Sequence, residues 1–269
     1  MSREENIKIF KDTEFFVRSN GMLQESLKHS IEKQKVILEK EKIQVPVKER
    51  YQEDAKVVVS KKRTLQAASG YKDEKVAVLN FASSSHPGGG VVRGARAQEE
   101  AICRVSTLFF ALDTQENWDG FYGPHQKHRN PLHTDDIIYT PAVAVFKTDS
   151  SSPILMSEED WYKVDVITCA APNLRNYKAM INDNELLLLH EKRLRRILDV
   201  AITQKAETII LGAFGCGAFA NNPDVVALAA KNVLREYRKA FKTIEFAVYC
   251  TPRDERNYHI FNRTLSTLA

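Results

Sequence analysis

Over the first forty residues, apolar side chains recur at helical spacing. Ile7, Phe10, Leu23, Leu27, Ile31 and Val36 stand among charges from Arg3 to about Lys42, which predicts two or more amphipathic helices. Asn20-Gly21 punctuates them, and EKEKIQVPVKERYQED reads as a connector in which Pro46 ends any incoming helix. From residue 56 the rhythm changes to short β-branched runs at 56–60, 75–81, 136–146, 162–171, 206–214 and 243–250, which predict strands. Several are apolar on both faces, so both faces of their sheet need covering. Helical patterns over 97–112, 184–204, 222–241 and 253–265 supply the cover. The expected fold is a three-layer α/β/α sheet, residues 51–269, with an N-terminal helical extension, residues 1–50, packed on it.

Composition narrows the class without defining it. The chain has 269 residues, 43% hydrophobic and 28% charged, ordinary values for a globular protein with a sizeable core. Its 39 basic and 35 acidic side chains are interspersed, a balance that does not point to nucleic acid or a membrane surface. Cys103, Cys169, Cys216 and Cys250 are widely spaced and form no CxxC pair. That argues for a reducing compartment and against a disulfide framework or structural zinc. The first residues lack a signal-peptide core, and no run approaches the roughly 20 apolar residues of a membrane span. A cytoplasmic location without membrane association is expected.

Two glycine-rich loops carry the candidate chemistry. HPGGGVVRGARAQEE follows the strand VAVLNF, and GAFGCGAFANNP follows ETIIL. Each lies between a buried strand and a helix, where backbone amides and the positive helix end hold anions and where open α/β sheets bind ligands. Asn221 or Asn222, with Pro223, provides an N-cap and first helical residue behind the second loop. A tight turn alone would explain either cluster; two on one sheet favour a ligand, a phosphate ester in particular. GAFGCGAF matches GxGxxG only in part, and no GxxxxGK[ST] occurs, so neither a dinucleotide-binding dehydrogenase nor a P-loop NTPase is supported. Glu99 and Glu100, adjacent on a helix, diverge by about 100° and should not converge on one atom. A solvated, dipole-stabilising first turn would account for the pair if it stood alone.

GGG at 88–90, seven residues, then QEE at 98–100 resembles the signature of the poly(ADP-ribose) glycohydrolases, the microbial-type branch in particular. GAFGCGAFANNP resembles the diphosphate loop of that branch, and VLNFASSSHPGGG, CRVSTLFFAL, DDIIYTPAVAVF, VITCAAPN and IILGAFGCGAF extend the likeness over most of residues 10–250. The resemblance implies a macrodomain-like mixed sheet as the catalytic core and hydrolysis of the ribose–ribose O-glycosidic bond. It makes Glu100 the catalytic acid and then base, places Glu99 against the scissile ribose, and has Gln98 hold the loop. It has Gly88, Gly89, Gly90 and Val91 approach the distal ribose and diphosphate, and Gly215, Cys216, Gly217 and Ala218 wrap the diphosphate from the other side. Phe219 packs on the bound ligand, and Asn80 is a strand-end contact. No cofactor, metal or stable protein partner is implied. The ligands would be poly(ADP-ribose) or an ADP-ribosylated macromolecule, with ADP-ribose as product. The animal enzymes carry a large accessory region that aids binding within polymer chains; nothing of that size is expected here, so exo action is implied. Arg93 and Arg96 fall within reach of any anion in the groove.

Glycosidases usually set two carboxylates on opposite faces of the sugar, which adjacent glutamates do not provide. One glutamate with a raised pKa, protonating the leaving 2′-hydroxyl and then activating water, would suffice if the substrate's diphosphate stabilises the oxocarbenium-like centre. A mono-ADP-ribosyl hydrolase and a non-catalytic ADP-ribose reader are the alternative readings, and the second has no need of Glu100. His125, His128 and His133 in GPHQKHRNPLH fit no metal-ligand spacing and read as a solvated loop. Lys192 to Arg196 in EKRLRRILDV read as a solvated helix face. Cys216 lacks a paired histidine, so its backbone rather than its thiol is expected to contribute.

Overall fold

The computed structural model describes residues 2–177 and 180–268. Helix α1 (Arg3–Ser19) opens with a capping box: Glu5 N donates to Ser2 Oγ (3.1 Å), and Ser2 N donates back to Glu5 Oε2. Asn20 ends α1 and caps α2 (Gly21–Lys33) by accepting from Leu23 N at 3.1 Å. The helical periodicity does not continue to Lys42. Lys35–Ile37 forms strand β1, paired antiparallel with residues 137–139, because β-branched Val36 and Ile37 meet an open sheet edge whose backbone groups need partners.

The remaining strands are β2 (Lys56–Ser60), β3 (Val76–Phe81), β4 (Ile137–Val145), β5 (Tyr162–Cys169), β6 (Thr208–Leu211) and β7 (Thr243–Ala247). They form one mixed sheet in the order β1-β4-β5-β3-β6-β7-β2. The five strands from β5 to β2 are parallel, whereas β4 is antiparallel to both β5 and β1. Central β3 lies between β5 and β6. Its alternate side chains serve different cores: Leu79 packs with Ile197, Ile209 and Phe246, and Val78 with Leu65, Ile102 and Phe10. Two buried faces make the three layers.

The helices between strands are α3 (Thr64–Ala68), α4 (Gln98–Val105), α5 (Leu108–Leu112), α6 (Gln115–Asn117), α7 (Gly123–His128), α8 (Asp183–Thr203) and α9 (Pro223–Leu234), with a π-helical stretch, Trp118–Tyr122, joining α6 to α7; α10 (Arg256–Leu265) follows β7. The single helix predicted over 97–112 is two. Thr107 N donates to Ala144 O (3.0 Å) and Ala144 N to Thr107 Oγ1 (3.1 Å), tying the chain to β4. Ser106 Oγ turns back onto Ile102 O (2.8 Å), so Ser and Thr hydroxyls compete with the helix where it must end. No helix among the described residues is long and apolar enough to cross a membrane.

Candidate active site

Both glycine loops open at the C-terminal ends of parallel strands and line one cleft of about 1000 Å³. After β3, Gly88 and Gly89 adopt φ of +61° and +58°, values that L side chains rarely take. A Cβ on Gly89 would lie 2.6 Å from Glu100 Oε1 and 3.0 Å from Glu99 Oε2. Glycine is therefore demanded twice, by backbone conformation and by the carboxylates. The same contacts correct the expectation that the two glutamates diverge. From the first turn of α4, one oxygen of each reaches the same point over the glycine loop.

Their environments differ. Glu99 is 2% exposed and has both oxygens engaged, Oε1 accepting from Asn80 Nδ2 (3.2 Å) and Oε2 from Ser83 N (2.7 Å). Glu100, 7% exposed, accepts from Gly90 N at 2.9 Å through Oε1, while Oε2 is buried without a partner. Burial pushes the Glu99 carboxyl up to about 8, and the neighbouring charge of Glu100 adds to the rise. The Glu99 carboxyl therefore keeps its proton toward neutral pH.

Gln98 stands behind this pair. Its Oε1 accepts from Phe81 N (2.9 Å), and its Nε2 donates to Leu79 O (2.7 Å) and Thr64 Oγ1 (3.0 Å). It holds the start of α4 against the end of β3.

The second loop is built around Asn221. Gly215, at φ +79°, has its Cβ position 2.8 Å from both Ala171 Cβ and Asn221 Nδ2. Asn221 Nδ2 donates to Pro172 O (2.6 Å) and Gly215 O (3.1 Å), and its Oδ1 pairs with His190 Nε2 at 2.8 Å. Asn222, not Asn221, caps α9, accepting from Asp224 N at 3.1 Å. Gly217 and Ala218 are exposed at the loop tip, and Phe219 is half-buried beside His133, ring centroids 5.9 Å apart.

Three expected contact residues lie behind the cleft wall. Val91 is fully buried beneath the loop with its N–H on Gly88 O. Gly88 packs toward Phe109 and Cys103, and Asn80, fully buried, reaches the cleft only through Glu99. The Cys216 side chain packs on the core, and burial pushes its thiol well up, so no thiolate forms there.

The histidine stretch is not a solvated loop. The His125 side chain is 5% exposed, on α7, with Nδ1 on Phe121 O (2.8 Å) and Nε2 on Thr134 Oγ1 (2.9 Å). His133 bonds Ala171 O (2.7 Å) and Ser84 Oγ (3.1 Å), and burial pulls its pKa down to about 4. Only His128 is exposed. The basic run is not a solvated face either: Arg193 is 1% exposed, with Nε 2.7 Å from Asp135 Oδ1 and Nη1 2.7 Å from Ala170 O. The opposite wall of the cleft, missed in sequence, is Val248, Tyr249 and Thr251 after β7 and Asn257 on α10. Arg63 lies 3.9 Å above the Tyr249 ring. The signal was available: these residues follow the apolar run TIEFAV, and ligands gather at the carboxyl ends of parallel strands.

The sheet order, the paired glycine loops and the buried glutamates define a macrodomain-type α/β/α protein with an acid pair in its ligand cleft. The family model of the microbial-type PARG catalytic domain, PARG being poly(ADP-ribose) glycohydrolase, matches residues 4–148. The chain belongs to that family. Among solved structures, it is 26% identical to poly(ADP-ribose) glycohydrolase from Thermomonospora curvata, covering 97% of this chain and 100% of that one with a TM-score of 0.84. The same enzyme bound to the inhibitor ADP-HPD is 27% identical over 97% and 99% of the two chains, TM-score 0.83. The Deinococcus radiodurans enzyme in complex with ADP-ribose is 29% identical over 90% and 97%, TM-score 0.80. No curated protein sequence matches the chain.

Proposed function

We propose that this protein is a poly(ADP-ribose) glycohydrolase that removes ADP-ribose from chain ends, with Glu100 as the proton-transfer residue. The observation that carries the reading is the unequal state of the two glutamates. Both Glu99 oxygens are engaged by Asn80 and Ser83, whereas Glu100 keeps one buried oxygen without a partner. A buried carboxyl oxygen left unpaired is costly unless a substrate atom meets it.

In this mechanism the terminal unit's diphosphate lies between the side-chain-free Gly89–Gly90 backbone and the Gly215–Phe219 loop, which bends it beneath its own distal ribose. Glu100 Oε2 protonates the departing 2′-oxygen of the next unit as the C1″–O bond breaks. The diphosphate faces the oxocarbenium-like carbon, Glu99 holds the ribose hydroxyls, and Glu100, now ionised, takes a proton from the attacking water. Asn80 and Gln98 act through the carboxylates and the loop, as positioning residues.

Glu100→Gln preserves size and the bond from Gly90 but transfers no proton. Release of ADP-ribose from polymer should fall by about 10²–10⁴-fold, while calorimetry shows the affinity for ADP-ribose barely changed. Full activity of this variant on polymer would overturn the mechanism; failure of the parent protein to bind millimolar ADP-ribose would overturn the ligand.

A further inference from the structure

The cleft has a second arm that the mechanism leaves unused. From Glu100 it follows α4 past Ala97, Ala101 and Arg104, positions spaced four and three apart and therefore on one helix face. Asn6 of α1 and the 149–153 loop after β4 form its other side. Arg93 and Arg96 are exposed at its rim.

Two groups within the arm are incompletely paired. Arg104 is 4% exposed; Nη1 donates to Ala95 O at 2.6 Å, but the guanidinium forms no ion pair among the described residues. Burial lowers its pKa while the charge of Glu100 one turn away raises it. Asp149, the acid of this arm, has Oδ2 held by Leu65 N at 3.0 Å. Asn6, 1% exposed, donates through Nδ2 to Gly94 O (3.1 Å), and its Oδ1 is buried without a partner. Glu100 and Asp149 act on Arg104 only at a distance, and a buried guanidinium with no carboxylate in direct contact is unfavourable. The arm is complete only with an anion on Arg104 and a hydrogen-bond donor on Asn6.

We propose that this arm binds the diphosphate of the adjoining ADP-ribose unit, on the leaving side of the scissile bond, with a hydroxyl or amino group of that unit donating to Asn6 Oδ1. The proposal rests on the glycohydrolase reading and deepens it. Arg93, Arg96 and Arg104 present planar donors suited to phosphate oxygens, and the arm begins at the carboxylate that protonates the leaving oxygen. A protein-linked mono-ADP-ribose has no phosphate at this place, so the arm favours polymer over mono-ADP-ribosylated acceptors.

The test compares the full chain with Arg96→Ala, Arg93→Ala/Arg96→Ala and Arg104→Gln. It measures kcat and KM for ADP-ribose release from purified polymer, Kd for free ADP-ribose, and binding of inorganic pyrophosphate to protein already saturated with ADP-ribose. Arg96→Ala should raise the polymer KM about three- to tenfold with ADP-ribose affinity unchanged, and Arg104→Gln should raise it further. Pyrophosphate binding should weaken in parallel. Exposed Arg96 keeps the test informative if the buried Arg104 variant misfolds. An active parent whose variants keep its polymer KM, or lose polymer and ADP-ribose affinity together, overturns the subsite alone. A parent that neither binds ADP-ribose nor releases it from polymer overturns the functional reading and the subsite with it.

Discussion

At the scale of single residues, the two glutamates show how hydrogen-bond partners differentiate identical side chains. Glu99 has its pKa raised from 4.5 to about 8, so the folded state binds its proton more tightly than the unfolded chain does. The stabilisation is complete below pH 4.5 and is lost as pH rises toward about 8, at about 1.4 kcal/mol per pH unit. Glu99→Gln removes this titration. Thermal melts should therefore show the variant gaining on the parent between about pH 5 and pH 8, and parallel curves would contradict the raised Glu99 pKa. Turnover should fall in the same variant together with substrate affinity, because Asn80 and Ser83 would then hold an amide in place of the carboxylate proposed to bind the ribose.

Among the elements, α1 is coupled to the first glycine loop. Gly94, at φ +73°, lies where a Cβ would be 2.3 Å from Arg3 O, while Arg3 Nε donates to Arg93 O and Asn6 to Gly94 O. The N-terminal helix thus clamps the segment between the glycines and the carboxylates. Gly94→Ala should cost about 1–3 kcal/mol and reduce turnover in proportion to the displacement of α1, as urea titration and polymer hydrolysis would reveal. On the other side of the cleft, Asn221→Ala would strand the carbonyl of Pro172 and leave His190 unpaired, while Gly215 O keeps only the bond from the backbone N–H of residue 221. ADP-ribose affinity should drop by about tenfold or more, the effect of one or two buried hydrogen bonds, with the Glu99–Glu100 geometry intact. An unchanged Kd would show that Gly215 holds its left-handed turn without Asn221.

At the scale of the whole molecule, buried charges join the layers. Arg193 on α8 pairs with Asp135 ahead of β4, and Lys192 closes on the other Asp135 oxygen at 2.7 Å. Arg193→Met should lose about 3–5 kcal/mol because it leaves a buried carboxylate short of its partner. Removing Arg195, whose pairing with Glu236 is exposed, should cost less than about 1 kcal/mol. Equal losses in equilibrium unfolding would refute the distinction. Acid should act on the same scale. His133 and His190 have pKa values pulled from 6.5 to about 4 by burial, so stability is full above pH 6.5 and falls as pH drops to about 4, by about 1.4 kcal/mol per unit for each. His190→Gln should flatten that part of the stability curve.

Six of the seven strands of the sheet, the two glycine loops and the carboxylate pair were legible in the sequence because each is written locally: β-branched runs of strand length, glycines where φ must be positive, and Gln98-Glu99-Glu100 at the start of a helix. The break at Asn20-Gly21 was legible for the same reason. What the chain could not disclose by itself depended on partners far away in sequence. Val36 leaves its helical pattern because Ile138 offers an open edge, Arg193 is buried because Asp135 waits for it, and His125 and His133 are enclosed by Phe121, Thr134 and Ala171. Packing also brought the oxygens of two adjacent glutamates to one point, by placing a side-chain-free Gly89 there. Local pattern determines which elements form and where the backbone can bend, since those preferences act over a few residues. Which polar groups are buried, paired or left waiting for a ligand is decided only when distant segments remove one another's water.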